Sequence, residues 1–96
     1  MKIFAHRGWA EGPIENTLEA FKKSVEAGLD GVEFDIRLGF GGEIVVVHDY
    51  TDSPDMLTFE NALAYLKNTN FELLIELKEY TPEFFTRVVE LLAVHG

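Results

Sequence analysis

The sequence contains no cysteine. That excludes disulfide scaffolds, zinc–thiolate centres and thiol nucleophiles. Positive charge is scarce: 8 Lys+Arg stand against 17 Asp+Glu, a formal net charge of −9. Such a balance does not suit neutralising nucleic-acid phosphates or docking on anionic lipid, so neither is an expected partner. Long apolar runs are missing too. Stretches such as Ile44–Val47 span only a few residues, whereas a membrane span needs roughly 18–20. The segment Met1–His6 lacks the extended apolar core of a secretory signal, which makes the cytoplasm the expected location. What is present is globular composition, 47% apolar, and enough chain for one domain over residues 1–96. A domain of this size buries only about 60–65% of its unfolded surface. With no disulfide, it needs a metal, an assembly partner or unusually good packing.

The hydrophobic pattern alternates strands with helices. Lys2–Ala5 reads as a strand entering His6-Arg7-Gly8, and Gly8–Glu15 as a loop. Asn16 fits an N-cap with Glu19 as its capping-box partner. Leu18, Phe21, Val25 and Leu29 then form one helix face, closed by Gly28. In Gly31–Leu38, Val32, Phe34, Ile36 and Leu38 alternate with Glu33, Asp35 and Arg37. A period of two puts the apolar set on one face and both carboxylates on the other. Glu43–Val47 is a third strand, reached by a glycine-rich turn and ending in His48-Asp49. A loop over Tyr50–Met56 leads to a helix over Leu57–Asn68, with Leu57, Ala62, Leu63 and Leu66 as its buried set. Phe71–Leu77 is a fourth strand. Thr81-Pro82 opens a last helix over Pro82–Val94. The order β-α-β-β-α-β-α predicts α/β architecture with a largely parallel sheet. Only about six residues join the second and third strands, which favours a hairpin, since a parallel crossover takes a dozen or more.

Polar residues gather at strand ends. Glu76 interrupts the apolar fourth strand, and Glu33 and Asp35 sit on one face of the second, about 7 Å apart. Three such carboxylates can form an oxygen cage for Mg²⁺ or Ca²⁺; equally, they can be the solvated face of an edge strand. His6 and His48 both terminate strands, where α/β sheets bind ligands. They suit a general base and a general acid, or are ordinary loop histidines. Arg7 and Lys78 also follow strands and suit a phosphate, or are surface ion-pair partners. His95 is expected to offset a helix dipole. The convergence of seven of these residues on what would be one rim favours the chemical readings.

His6-Arg7-Gly8, Glu15-Asn16-Thr17, Glu33-Phe34-Asp35, His48-Asp49 and Glu76-Leu77-Lys78, in that order and spacing, resemble the glycerophosphodiester phosphodiesterase family. The resemblance covers residues 3–78. It implies a distorted TIM barrel that hydrolyses glycerophosphodiesters to an alcohol and glycerol 3-phosphate with one divalent cation, Mg²⁺ or Ca²⁺. It implies Glu33, Asp35 and Glu76 as metal ligands and His6 and His48 as the acid/base pair. It further implies Arg7 and Lys78 as phosphate contacts, Glu15 as the residue orienting Arg7, and Asp49 as a partner of His48.

Two features depart from the family. Only seven residues, Tyr50 to Met56, separate His48-Asp49 from the next helix, where many members carry a longer insertion. A (β/α)₈ barrel also takes roughly 200–250 residues, so this chain is expected to form half of one: about four strands and three helices in a single half-barrel domain. Open strand edges and an uncovered sheet face then call for association, as a homodimer or with a separate C-terminal half. Two functions follow as expectations. One is a metal-dependent phosphodiesterase acting on a small phosphodiester. The other is a non-catalytic half-barrel assembly unit that retains the site residues. A phospholipase D-like or sphingomyelinase-type activity lacks the membrane-binding segment it would need.

Overall fold

The alternation in Gly31–Leu38 makes that segment the axis of the structure. The computed structural model describes residues 1–9, 14–51, 53 and 55–95. Its elements are β1 (Phe4–Ala5), α1 (Leu18–Glu26), β2 (Gly31–Leu38), β3 (Ile44–Val46), α2 (Phe59–Leu66), β4 (Glu72–Leu77) and α3 (Pro82–His95). A short 3₁₀ turn over His6–Gly8 follows β1. The parts of the two expected loops at 10–13, Asp52 and Pro54, together with the terminal Gly96, lie outside the described residues.

Four strands and three helices form an α/β half of a TIM-type barrel. β4 runs parallel to β2 from the pair Gly31↔Glu72 to the pair Ile36↔Leu77. β1 is parallel to the start of β2 through Phe4↔Gly31 and Ala5↔Val32. β3 is antiparallel to its end, through Leu38↔Ile44 and Ile36↔Val46. Gly31 and Ile36 each pair on both sides, so β4 occupies one edge of β2 while β1 and β3 share the other. The hairpin expected from the short connection is therefore present. Gly42, at φ 89°, lets it close, and the Gly39 N–H donates to the Glu43 carbonyl at 2.7 Å. Gly31 is needed for another reason. A Cβ there would overlap the Glu72 carbonyl and the Phe4 ring, prising apart the three parallel strands.

The helices cover one face of the sheet. Val32, Phe34 and Ile36 are fully buried against them, with Phe21 from α1, Phe59 from α2 and Phe84 from α3. The Phe34 ring lies 5.4 Å from that of Phe21 and 6.2 Å from that of Phe59, both tilted, a favourable geometry for aromatic pairs. The opposite face carries Glu33, Asp35 and Arg37 from β2 and Glu72, Leu74 and Glu76 from β4. On its β4 side this face is open among the described residues, with Leu74 59% exposed. No helix among the described residues is long and apolar enough to cross a membrane.

The helix starts differ from expectation. Asn16 is not the cap of α1. Thr17 is, its hydroxyl accepting from the Ala20 N–H at 3.2 Å, so Glu19 has no capping-box partner role. The buried side of α1 is Ala20, Phe21 and Ser24, while Leu18, Val25 and Leu29 are only partly buried. Ser24 fits there because its hydroxyl donates to the Gly8 carbonyl. α2 begins after Thr58, whose hydroxyl accepts from the Asn61 N–H at 3.1 Å. Leu57 therefore precedes the helix, and Phe59 takes the place expected for it. α3 starts as the sequence predicts, with the Thr81 hydroxyl accepting from the Phe84 N–H at 3.2 Å.

Phe34 bridges two helices through its ring. Phe34→Ala is expected to lower the free energy of unfolding by about 3–5 kcal/mol, measured by urea denaturation. A loss below about 1 kcal/mol would show that the aromatic cluster is not the core's centre.

Candidate functional site

Parallel pairing sets Asp35 beside Glu76, and the strand period puts Glu33 on the same face. One carboxylate oxygen from each of the three lies within 4.8 Å of the other two. Asp35 is 1% exposed, Glu33 is mostly buried and Glu76 half exposed. The hard, anionic donor set suits a divalent cation of the Mg²⁺ or Ca²⁺ type rather than a soft metal.

The turn after β1 brings two more groups to this cluster. Arg7 adopts the left-handed conformation, φ 52° and ψ 35°, uncommon for a residue other than glycine. That conformation is held in part by its backbone N–H, which donates to Glu33 Oε1 at 3.0 Å. The same Glu33 oxygen lies 3.8 Å from His6 Nε2. The Arg7 guanidinium donates from Nη1 to Glu15 Oε2 at 2.9 Å, and its Nε stands 3.8 Å from Asp35 Oδ2. The hydrogen bond to Glu15 raises the Arg7 pKa above its already high ordinary value.

Lys78 closes the other side. Its Nζ donates to Glu76 Oε1 at 3.1 Å and lies 3.9 Å from Asp35 Oδ1. That hydrogen bond, followed by the contact with Asp35 and the lysine charge, holds the Glu76 carboxyl below its ordinary 4.5. The carboxylate cluster thus faces one guanidinium and one ammonium. Together they could receive a metal ion and a phosphate oxygen side by side.

His48 follows β3. Its Nδ1 is 2.8 Å from Asp49 Oδ1, and because an ionised carboxylate only accepts, the proton of this contact sits on Nδ1. Arg37 donates from Nη2 to the His48 carbonyl at 3.2 Å, and its Nη1 lies 4.0 Å from Glu79 Oε2. The turn bearing His48 is in this way tied to β2 and to the loop after β4. A cavity of about 220 Å³ opens here, lined by Glu15, Asn16, His48, Asp49, Met56 and Leu57 among others.

The structure thus brings Glu33, Asp35, Glu76, His6, Arg7, Glu15 and Lys78 into one cluster, with His48 and Asp49 beside the cavity that Glu15 also lines. His95 is elsewhere: its Nε2 lies 3.2 Å from Glu60 Oε2 on α2. Two residues of the region carry no site role in the sequence reading. Arg37 shares the face of Glu33 and Asp35, so the strand alternation already carried its signal. Asn16 donates from Nδ2 to Asp35 Oδ2 at 3.2 Å; its fit to a helix cap masked that role.

Residues 6–93 match the family model described as the Glycerophosphoryl diester phosphodiesterase family. The glycerophosphodiester phosphodiesterase of Caldanaerobacter subterraneus subsp. tengcongensis is 47% identical over 49 residues, which are 51% of this chain and 20% of that protein. The crystal structure of glycerophosphodiester phosphodiesterase from Thermotoga maritima superposes with a TM-score of 0.69 at 31% identity, covering 99% of this chain and 51% of that one. That from Agrobacterium tumefaciens gives 0.75 at 24% identity, over 97% and 53%, a likeness of fold. The chain spans about half the length of these solved structures.

The lowered Glu76 pKa has a consequence for pH. A carboxyl depressed on folding contributes stability that is present above 4.5 and is lost as the pH falls through the folded value. In a ¹³C-carboxyl NMR titration of the metal-free protein, Glu76 is expected to titrate below 4.5 and Lys78→Met to move it back up. A wild-type midpoint at or above 4.5 would contradict the Lys78 contact.

Proposed function

The chain belongs to the glycerophosphoryl diester phosphodiesterase family, and from that premise we propose that it hydrolyses glycerophosphodiesters to an alcohol and glycerol 3-phosphate with one divalent cation, Mg²⁺ or Ca²⁺. The observation that carries this reading is the approach of Glu33, Asp35 and Glu76 oxygens to within 4.8 Å of one another. These three residues would hold the cation. When bound, it would supply positive charge to the non-bridging oxygens of the phosphodiester. Arg7, oriented by Glu15, and Lys78 would meet the remaining phosphate charge.

Phosphodiester cleavage also needs two proton transfers. One histidine of the pair His6 and His48 would take the proton from the attacking hydroxyl, which is water's or the substrate's own neighbouring hydroxyl. The other would give a proton to the departing alkoxide. The Asp49 contact at Nδ1 supports His48 in such a role, since it leaves Nε2 to exchange the proton. The net charge of −9 is no obstacle, because local cations set the potential inside a site.

The same reading treats residues 1–96 as one cytoplasmic half-barrel unit that works in an assembly. Leu74 is exposed on the open β4 side of the carboxylate-bearing face, and β4 pairs only with β2 among the described residues. A second copy, or a separate second half, would cover that face and exclude water from the rim. The open face also favours a second reading, a non-catalytic assembly unit that keeps the site residues.

Hydrolysis of bis(p-nitrophenyl) phosphate with Mg²⁺ or Ca²⁺ separates the two. A metal-dependent rate is expected, abolished by EDTA and by Glu33→Ala and reduced about 10²–10⁴-fold by His6→Ala. Activity per chain is expected to rise with chain concentration as halves associate. No rate above buffer with either metal would leave the assembly unit. A constant rate per chain across dilution, from a monodisperse monomer, would remove the association.

A further inference from the structure

Three features set Asn16 apart. Its φ is 58°, in the left-handed region where a Cβ crowds the backbone. It is 5% exposed. Its buried Oδ1 has no hydrogen-bond partner among the described residues, a state that native structures largely avoid. Helix capping does not account for the residue, because Thr17 supplies the cap. What Asn16 does make is the hydrogen bond from Nδ2 to Asp35 Oδ2. An ionised carboxylate only accepts, so the amide must turn its nitrogen to Asp35 and its oxygen away. The two cations near Asp35 come no closer than 3.8 Å from Arg7 Nε and 3.9 Å from Lys78 Nζ. The Asn16 amide, at 3.2 Å, is therefore the nearer hold on the rotation of that carboxylate. Its backbone N–H also donates to the Arg7 carbonyl at 2.7 Å, joining two left-handed residues other than glycine.

We propose that Asn16 is a positioning residue, which orients Asp35 for the cation and thereby sets cation affinity. The inference rests on the cation-site reading of Glu33, Asp35 and Glu76. Partners of this kind, which hold a ligand rather than the metal, typically change metal affinity by about 10–100-fold when removed.

Calcium binding to the 96-residue chain, measured by isothermal titration calorimetry, tests it beside the melting temperature in EDTA. Asn16→Gly removes the amide and relieves the left-handed strain. It is expected to melt within a few degrees of the wild type and to bind Ca²⁺ about 10–100-fold more weakly. Thr17→Ala removes the neighbouring cap without touching Asp35; it is expected to melt lower and keep its affinity. Wild-type affinity in Asn16→Gly would overturn the proposal. Equal weakening in both variants, or a collapse of melting temperature in Asn16→Gly, would also overturn it, by assigning Asn16 to the architecture of the turn. A wild-type chain that binds neither Ca²⁺ nor Mg²⁺ would remove the cation reading itself, a separate and recognisable result.

Discussion

The gathering of three acidic side chains, Glu33, Asp35 and Glu76, on one face of the sheet is the constraint around which this structure is arranged. One oxygen of each lies within 4.8 Å of the other two, a spacing at which like charges disfavour one another. A sheet would not gather such groups for stability. The neighbours read accordingly: Lys78 between Glu76 and Asp35, Arg7 above Asp35, the Arg7 N–H on Glu33 and the Asn16 amide on Asp35. They offset part of the negative charge while one oxygen of each carboxylate stays within 4.8 Å of the other two, the spacing on which the proposed cation site rests.

The fold supplies this geometry through division of labour between the faces of β2. One face is apolar and buried under three helices, where Phe34 meets Phe21 and Phe59. That packing fixes the strand and so fixes the other face, on which the carboxylates stand. Rigid support of this kind is what a preorganised site requires. The two left-handed residues other than glycine, Arg7 and Asn16, both fall at the rim. Backbone strain concentrated at ligand-facing turns is a recurring property of functional sites.

Much of this was legible from residue order. The period of two in Gly31–Leu38 gave both the buried Val32, Phe34 and Ile36 and the shared face of Glu33 and Asp35. The short turn after Leu38 foretold the antiparallel β3. Convergence of Glu76 with Asp35 needed the parallel register, which residue order suggests but does not state. Helix starts were less legible, since Asn16, Thr17, Leu57 and Thr58 all satisfy local capping or packing rules, and only tertiary contacts select among them. Asn16 shows the difficulty plainly: the side chain that suits a cap also suits a carboxylate partner, and the nearness of Asp35, nineteen positions on, decided between them. Arg37 was hidden differently, because an arginine in an alternating strand reads as solvated until its His48 and Glu79 contacts are seen.

In the proposed reading, the three acidic side chains form one cation site. A crystal structure of the protein grown with Ca²⁺ tests it most directly. A single ion is expected, with oxygens of Glu33, Asp35 and Glu76 each about 2.3–2.6 Å away. Density for Ca²⁺ elsewhere, or carboxylates turned outward to solvent with no ion between them at saturating calcium, would contradict it.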